Sequence, residues 1–192
     1  PDQSSAASDV YKRQLFEDNH LIIVNKKCGV LVQGDKTGDT PLLELVKEYI
    51  KNKYDKTGNV FLGLVNRIDR PVSGIVIFAR TSKALSRMNV KLKNRQIRKL
   101  YWLFISNKFK SNEGKIEGWF KKNKKINKSF FSKEEVKDSK YGSLKYRIIE
   151  KLEKYLKIEV NLETGRHHQI RCSFSQIGFP ILGDLKYCLL YT

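Results

Sequence analysis

Residues 156–162 alternate without a break. Leu156, Ile158, Val160 and Leu162 lie on one side, and Lys157, Glu159 and Asn161 on the other. A period of two marks a strand with one face on a core and the other in water. Thr164-Gly165 then turns the chain, and a short helix is predicted from about Arg166 or His167 to Ile177, with Gly178 ending it. A half-buried strand feeding a short helix requires a sheet with helices laid against it.

The rest of the chain supplies the partners. Leu21 to Val24, Val60 to Val65, Ile75 to Ala79 and Leu100 to Ile105 read as strands. Asp39-Thr40-Pro41 reads as a helix start, with a capping side chain and a proline in the first turn. Leu42, Leu45, Val46, Tyr49 and Ile50 then repeat at helical spacing, which predicts a helix over residues 41–53. Thr81-Ser82 caps a second helix, with Ala84, Leu85, Met88 and Leu92 on one face. Residues 107–142 are rich in Lys and broken by Gly, the pattern of hairpins and exposed loops. Strands outnumber parallel crossover units, so the expected class is α+β, a mixed, largely antiparallel sheet with flanking helices.

Charge narrows the partners. Lys plus Arg is 38 against 20 Asp plus Glu, a net charge of +18 in 192 residues. Such a surface captures polyanions. Lysine supplies most of the excess and also fits a general compositional bias. Four arginines, Arg67, Arg70, Arg166 and Arg171, are grouped in two short segments. Arginine offers a planar fork where geometry matters. Cys28, Cys172 and Cys188 form no CxxC pair, so no structural metal is expected and free thiols fit a reducing cytoplasm. No apolar run approaches the roughly 18 residues that span a bilayer. Residues 1–14 and 188–192 look foreign to the rest and are set aside, which leaves 15–187 as the expected domain.

Two segments carry the chemistry. In the first, residues 65–81, Asp69 stands between Arg67 and Arg70 in a loop stiffened by Pro71 and turned at Ser73-Gly74. Positive neighbours favour the ionised carboxylate. Alone, this loop reads best as a structural salt bridge. In the second, residues 162–187, Arg171 lies about one helical turn beyond His168, and the helix start favours anions such as phosphates.

Together the segments resemble the RluA-type RNA pseudouridine synthases. The family signature HRLDRxTSG stands here as NRIDRPVSG, residues 66–74. The second, TGRxHQIR with GxPIxGDxxY, stands as TGRHHQIR and GFPILGDLKY, residues 164–171 and 178–187. A KxYxA strand corresponds to Lys99-Leu100-Tyr101-Trp102-Leu103, and NKKCGVLVQGD resembles the family's N-terminal KPxG turn.

The resemblance implies the pseudouridine synthase catalytic fold and isomerisation of specific uridines in structured ribosomal or transfer RNA. It implies that Asp69 is the essential aspartate, Tyr101 packs against the target base, and Arg171 is the basic partner of the aspartate. Arg67 would help hold the nucleotide out of its helix, and Ile170 would line the uracil pocket. Arg166 and His168 complete the expected substrate-binding set. The uracil must leave through N1, rotate and reattach through C5. The carboxylate either attacks the sugar or removes a sugar proton to give a glycal. A buried target base must first be flipped, at a cost of a few kcal/mol. No metal or cofactor is expected, and the protein is expected to be a cytoplasmic monomer.

Two departures stand out. Asn66 occupies the usual His position, so activity is expected to survive with a changed fit to RNA. The family pattern also continues past Tyr187, so the domain is expected to be cut short there with edge strands left bare. The competing expectations are a non-catalytic RNA-binding or ribosome-assembly protein of the same fold, and an inactive fragment.

Overall fold

The computed structural model describes residues 13–35 and 37–188. The chain divides into two compact units, Pro1–Gln96 and Ile97–Thr192. Most of the two terminal segments set aside above lie outside the described residues. Gln14, the last residue of the first, opens a strand.

The first unit holds β1 (Gln14–Glu17), β2 (Leu21–Lys26), α1 (Leu42–Lys53), β3 (Gly63–Leu64), β4 (Gly74–Ala79) and α2 (Ser82–Lys93). Its sheet runs β1-β2-β4-β3, and every pairing is antiparallel. Alternation along β2 and β4 gives the sheet two apolar faces. Ile22, Val24, Val76 and Phe78 meet Leu42, Val46, Tyr49 and Ile50 of α1 in one core. Ala79 and partly buried Leu21 and Ile77 meet Ala84, Leu85, Met88 and Leu92 of α2 in another. The predicted face of α2 is therefore its packing face.

Two expectations needed correction here. Asp39 does not cap α1, because Arg70 takes its carboxylate at 2.6 Å. Pro41 is the N-cap residue and makes no side-chain cap bond. The helix-start amides use main chain instead: Leu42 N–H donates to the Leu31 carbonyl at 2.7 Å and Leu43 N–H to Val32 at 3.2 Å. Backbone acceptors thus satisfy amides that a helix leaves open at its start. The predicted strand over Val60 to Val65 shortens to Gly63–Leu64, an edge strand with β4 alone as its ladder partner. By contrast, the Thr81 cap forms as expected, accepting from Ala84 N–H at 3.1 Å.

The second unit holds β5 (Leu100–Ser106), β6 (Glu113–Asn123), β7 (Lys128–Ser132), β8 (Lys140–Lys151), β9 (Tyr155–Leu162) and α3 (Gln169–Gln176). Its sheet runs β5-β9-β8-β6-β7, again antiparallel throughout. The alternation of residues 156–162 is realised in β9. Leu156, Ile158, Val160 and Leu162 are buried with Leu103, Ile105, Ile116, Leu144 and Phe174 of α3. Gly118 on β6 permits a close crossing, since a Cβ there would lie 2.6 Å from the Ser132 carbonyl oxygen.

Helix α3 is shorter than predicted. It begins at Gln169 because His168 adopts a left-handed φ of 49°, which breaks the helix before it. Its end matches the expected stop: Gly178 has φ 83°, and Phe179 N–H returns to the Phe174 carbonyl at 3.0 Å. Among the described residues no helix is long and apolar enough to cross a membrane.

Candidate active site

The Asp69 loop joins β3 to β4 and is fixed from three sides. Val72 N–H donates to the Asp69 carbonyl at 3.0 Å, which closes the turn over Arg70-Pro71. Arg70 is bound through main chain and side chain alike. Its carbonyl accepts from Gly29 N–H at 2.9 Å, and its Nε donates to the Gly29 carbonyl at 3.0 Å. Its guanidinium is directed at Asp39, so Arg70 staples two loops together.

The second anchor is Lys26, at the head of the Lys26-Lys27-Cys28-Gly29 turn. Its side chain is only 1% exposed. Nζ donates to the carbonyls of Lys27 at 2.9 Å, Val30 at 2.8 Å and Arg70 at 3.1 Å. Burial pushes this ammonium below the ordinary lysine range, while the charges of Cys28 and Asp69 pull it back up. A buried cation with three carbonyl acceptors is a satisfied one. It locks the NKKCG turn onto the loop that carries Asp69.

Asn66 is the third anchor. Its carboxamide spans to β4, donating to the Ile75 carbonyl at 3.0 Å and accepting from Ile77 N–H at 2.8 Å. The side chain therefore acts as an extra rung of the ladder beside β3. Asp69 itself is half-buried and Arg67 is exposed.

In the second unit the TGRHHQIR turn folds around one side chain. Gln169 Oε1 accepts from Thr164 Oγ1 at 2.8 Å and from Arg166 N–H at 2.9 Å, and Nε2 donates to the Ser143 carbonyl at 3.1 Å. Gln169 is 2% exposed, so its bonds are sheltered from water. Arg166 reaches back to β8, with Nε donating to the Tyr141 carbonyl at 2.7 Å.

Arg171, on α3, meets the GDLKY segment. Nε and Nη2 each lie 2.7 Å from the two carboxylate oxygens of Asp184, a bidentate pair. The side chains are 14% and 5% exposed. Burial raises the Asp184 pKa, but the Arg171 bonds and charge outweigh it and hold the carboxyl below its usual range. Asp184 also accepts from the N–H groups of Lys186 at 3.0 Å and Tyr187 at 3.2 Å.

Tyr187 closes the group. Its hydroxyl accepts from Ser129 N–H at 2.6 Å and lies 3.0 Å from His168 Nδ1. Burial pushes the phenol up to about 12, so it stays protonated near neutrality. The Arg171 guanidinium lies 5.2 Å from the centre of the same ring. Ile170 and Tyr101 are both partly buried against the Leu103–Phe174 core, and Tyr101 sits opposite Val160 on β5. Cys172 is buried, and burial raises its thiol to about 11, which makes it inert.

The structure thus groups His168 and Arg171 with Asp184 and Tyr187, and sets Ile170 and Tyr101 on one core. Residue spacing alone assigns no role to Asp184, Tyr187, Gln169 or Lys26, although all four lie in the motifs. Their position in those motifs was the available signal.

The sequence model of the family described as RNA pseudouridylate synthase matches residues 20–176. The chain belongs to that family. Ribosomal large subunit pseudouridine synthase C of Vibrio parahaemolyticus is 30% identical over 176 residues, covering 90% of this chain and 52% of the relative. An uncharacterised RNA pseudouridine synthase of Synechocystis is 29% identical over 174 residues, covering 90% of this chain and 53% of the relative. The chain therefore spans about half the length of the curated relatives it matches. Among solved structures, the human RNA pseudouridylate synthase domain containing 4 superposes with a TM-score of 0.82 at 19% identity, over 98% of this chain and 73% of that one. The α+β fold of this family is thereby established, and so is the RluA-type resemblance, with several relatives named large-subunit synthase C or D.

Proposed function

We propose that this chain converts specific uridines in structured RNA to pseudouridine, with Asp69 as the catalytic carboxylate. The family match over residues 20–176, which takes in NRIDRPVSG and TGRHHQIR, carries this reading. The pinning of the Asp69 loop by Lys26, Arg70 and Asn66 supports it, since a reacting carboxylate must be held in place. Tyr101 is assigned the stacking role on the detached base and Arg171 the cationic one. Arg67, Arg166, His168 and Ile170 are assigned to binding the nucleotide and its phosphates. The 15–187 stretch is proposed to act as a catalytic domain, as a monomer in the cytoplasm.

The chemistry asks for little else. N1 leaves the sugar, the uracil turns, and C5 forms the new bond while its proton is lost. Asp69 either bonds to the sugar or takes a sugar proton. Tyr101 is the candidate to assist loss of the C5 proton. Ribosomal RNA is the first substrate to test, because relatives named for the large ribosomal subunit recur. The experiment is to incubate the protein with unmodified ribosomal and transfer RNA transcripts and map new pseudouridines. Discrete sites are expected. Tight RNA binding without any new pseudouridine would instead establish a non-catalytic binding protein.

A further inference from the structure

Basic side chains on the sheet of the second unit are largely balanced by acids. Lys115 pairs with Glu117, Lys145 with Glu163, Arg147 with Glu159, and Lys157 with Glu150. The β6–β7 hairpin breaks this pattern. Residues 118–132 hold five lysines and neither Asp nor Glu. Lys121, Lys122, Lys124 and Lys125 are exposed, and among the described residues no ion pair engages any of them. A general lysine bias explains abundant lysine, but it does not explain the missing acids.

The hairpin is also built to hold its position. Its ladder runs from Trp119↔Ser132 to Asn123↔Lys128. Asn123 Oδ1 accepts from Lys125 N–H at 3.0 Å and braces the turn. The far end is latched to the two motifs of this unit. Ser129 Oγ donates to the His167 carbonyl at 2.6 Å, and the Cys172 thiol donates to the Ser129 carbonyl at 3.3 Å. Lys186 Nζ donates to the Asn127 carbonyl at 3.2 Å, and His167 Nε2 lies 3.0 Å from Asn127 Oδ1. With the Ser129–Tyr187 bond described above, these contacts tie the lysines to the segment that carries Arg166, His168, Ile170 and Arg171.

We propose that the β6–β7 hairpin is an RNA-backbone grip, in which Lys121, Lys122, Lys124 and Lys125 neutralise phosphates at a fixed register from the Arg171 helix. This rests on the reading that the chain acts on RNA. Lysine heads are mobile point charges without the fork that reads a base edge, so the grip positions the strand and leaves base choice to other groups. Each lysine that meets a phosphate displaces counterions and steepens the salt dependence of binding.

The test compares two quadruple variants that change net charge equally. One replaces Lys121, Lys122, Lys124 and Lys125 by Ala; the other replaces the exposed Lys108, Lys110, Lys151 and Lys154 of the same unit. Binding of a mixed-sequence RNA stem-loop is measured against salt concentration, and circular dichroism confirms that both variants are folded. The slope of log K on log salt should fall by about one for each contacting lysine in the hairpin variant, and by less than half as much in the control. Equal losses in the two variants would show a long-range charge effect and overturn the grip, as would no loss in either. Loss of binding to phosphatidylserine-containing vesicles with unchanged RNA binding would overturn it in favour of a membrane surface. Failure of the wild-type chain to bind RNA would overturn the RNA reading and the grip together, whereas normal wild-type binding with an unaffected hairpin variant removes the grip alone.

Discussion

Replacing Asp184 with Ala strips Arg171 of its bidentate partner. Two charge-assisted bonds of 2.7 Å are lost, and the N–H groups of Lys186 and Tyr187 lose their acceptor. Removing one member of a buried, hydrogen-bonded ion pair costs about 3–5 kcal/mol. Arg171 keeps 14% of its side-chain exposure, so water recovers part of that loss. The expected destabilisation is about 3 kcal/mol, a fall in Tm of roughly 6–12 °C for a chain of this size. Urea unfolding of the full chain measures it. The pH dependence follows from the lowered Asp184 pKa. Stability from a depressed carboxyl is complete above the unfolded value of about 3.9 and disappears as pH falls through the native value. The gap between wild type and Asp184→Ala should therefore be flat near neutrality and close in acid. A difference below about 1 kcal/mol at pH 7, the span of a surface pair, would refute the view that this pair is a buried anchor. So would a gap that widens as pH falls.

Lys26→Met should remove the three carbonyl bonds that hold the Asp69 loop, costing about 2 kcal/mol in urea unfolding and slowing pseudouridine formation more than RNA binding. Gly118→Ala forces a Cβ to 2.6 Å from the Ser132 carbonyl, and thermal unfolding should show a loss of about 2 kcal/mol. Thr81→Ala deletes the α2 cap and should cost about 1 kcal/mol in the same measurement.

Periodicity made much of the fold legible. The alternation in β9 and the apolar face of α2 are local patterns, and each led directly to its packing surface. What escaped prediction depended on distant partners. The start of α1 looked like a side-chain cap, but main-chain acceptors 31 and 32 serve it and Arg70 claims Asp39. The α3 boundary depended on the left-handed His168, a conformation that no pattern announced. Strand β8 went unpredicted, because residues 140–151 mix charges with small and aromatic residues and show no clean alternation.

The candidate site was legible as motifs rather than as geometry. Asp69 was found as a carboxylate between two arginines, but the side chain of Arg70 is committed to Asp39 and Gly29. Lys26 looked like one of many lysines, and only its burial reveals an anchor. Asp184 and Tyr187 stood in plain view in GDLKY. Their contacts with Arg171 and His168 span 13 and 19 residues, beyond the reach of local spacing. Asn66 stood out only as a departure from the usual His; the bonds of its side chain to the β4 backbone span 9 and 11 residues and show only in the fold.

The central claim is that Asp69 does the chemistry. The most direct measurement is tritium release from RNA carrying [5-³H]uridine, comparing wild type with Asp69→Asn alongside RNA-binding titrations and thermal melts of both. The account predicts that the variant folds, binds RNA within a few-fold of wild type, and releases no tritium above background. Release by Asp69→Asn at the wild-type rate would contradict it.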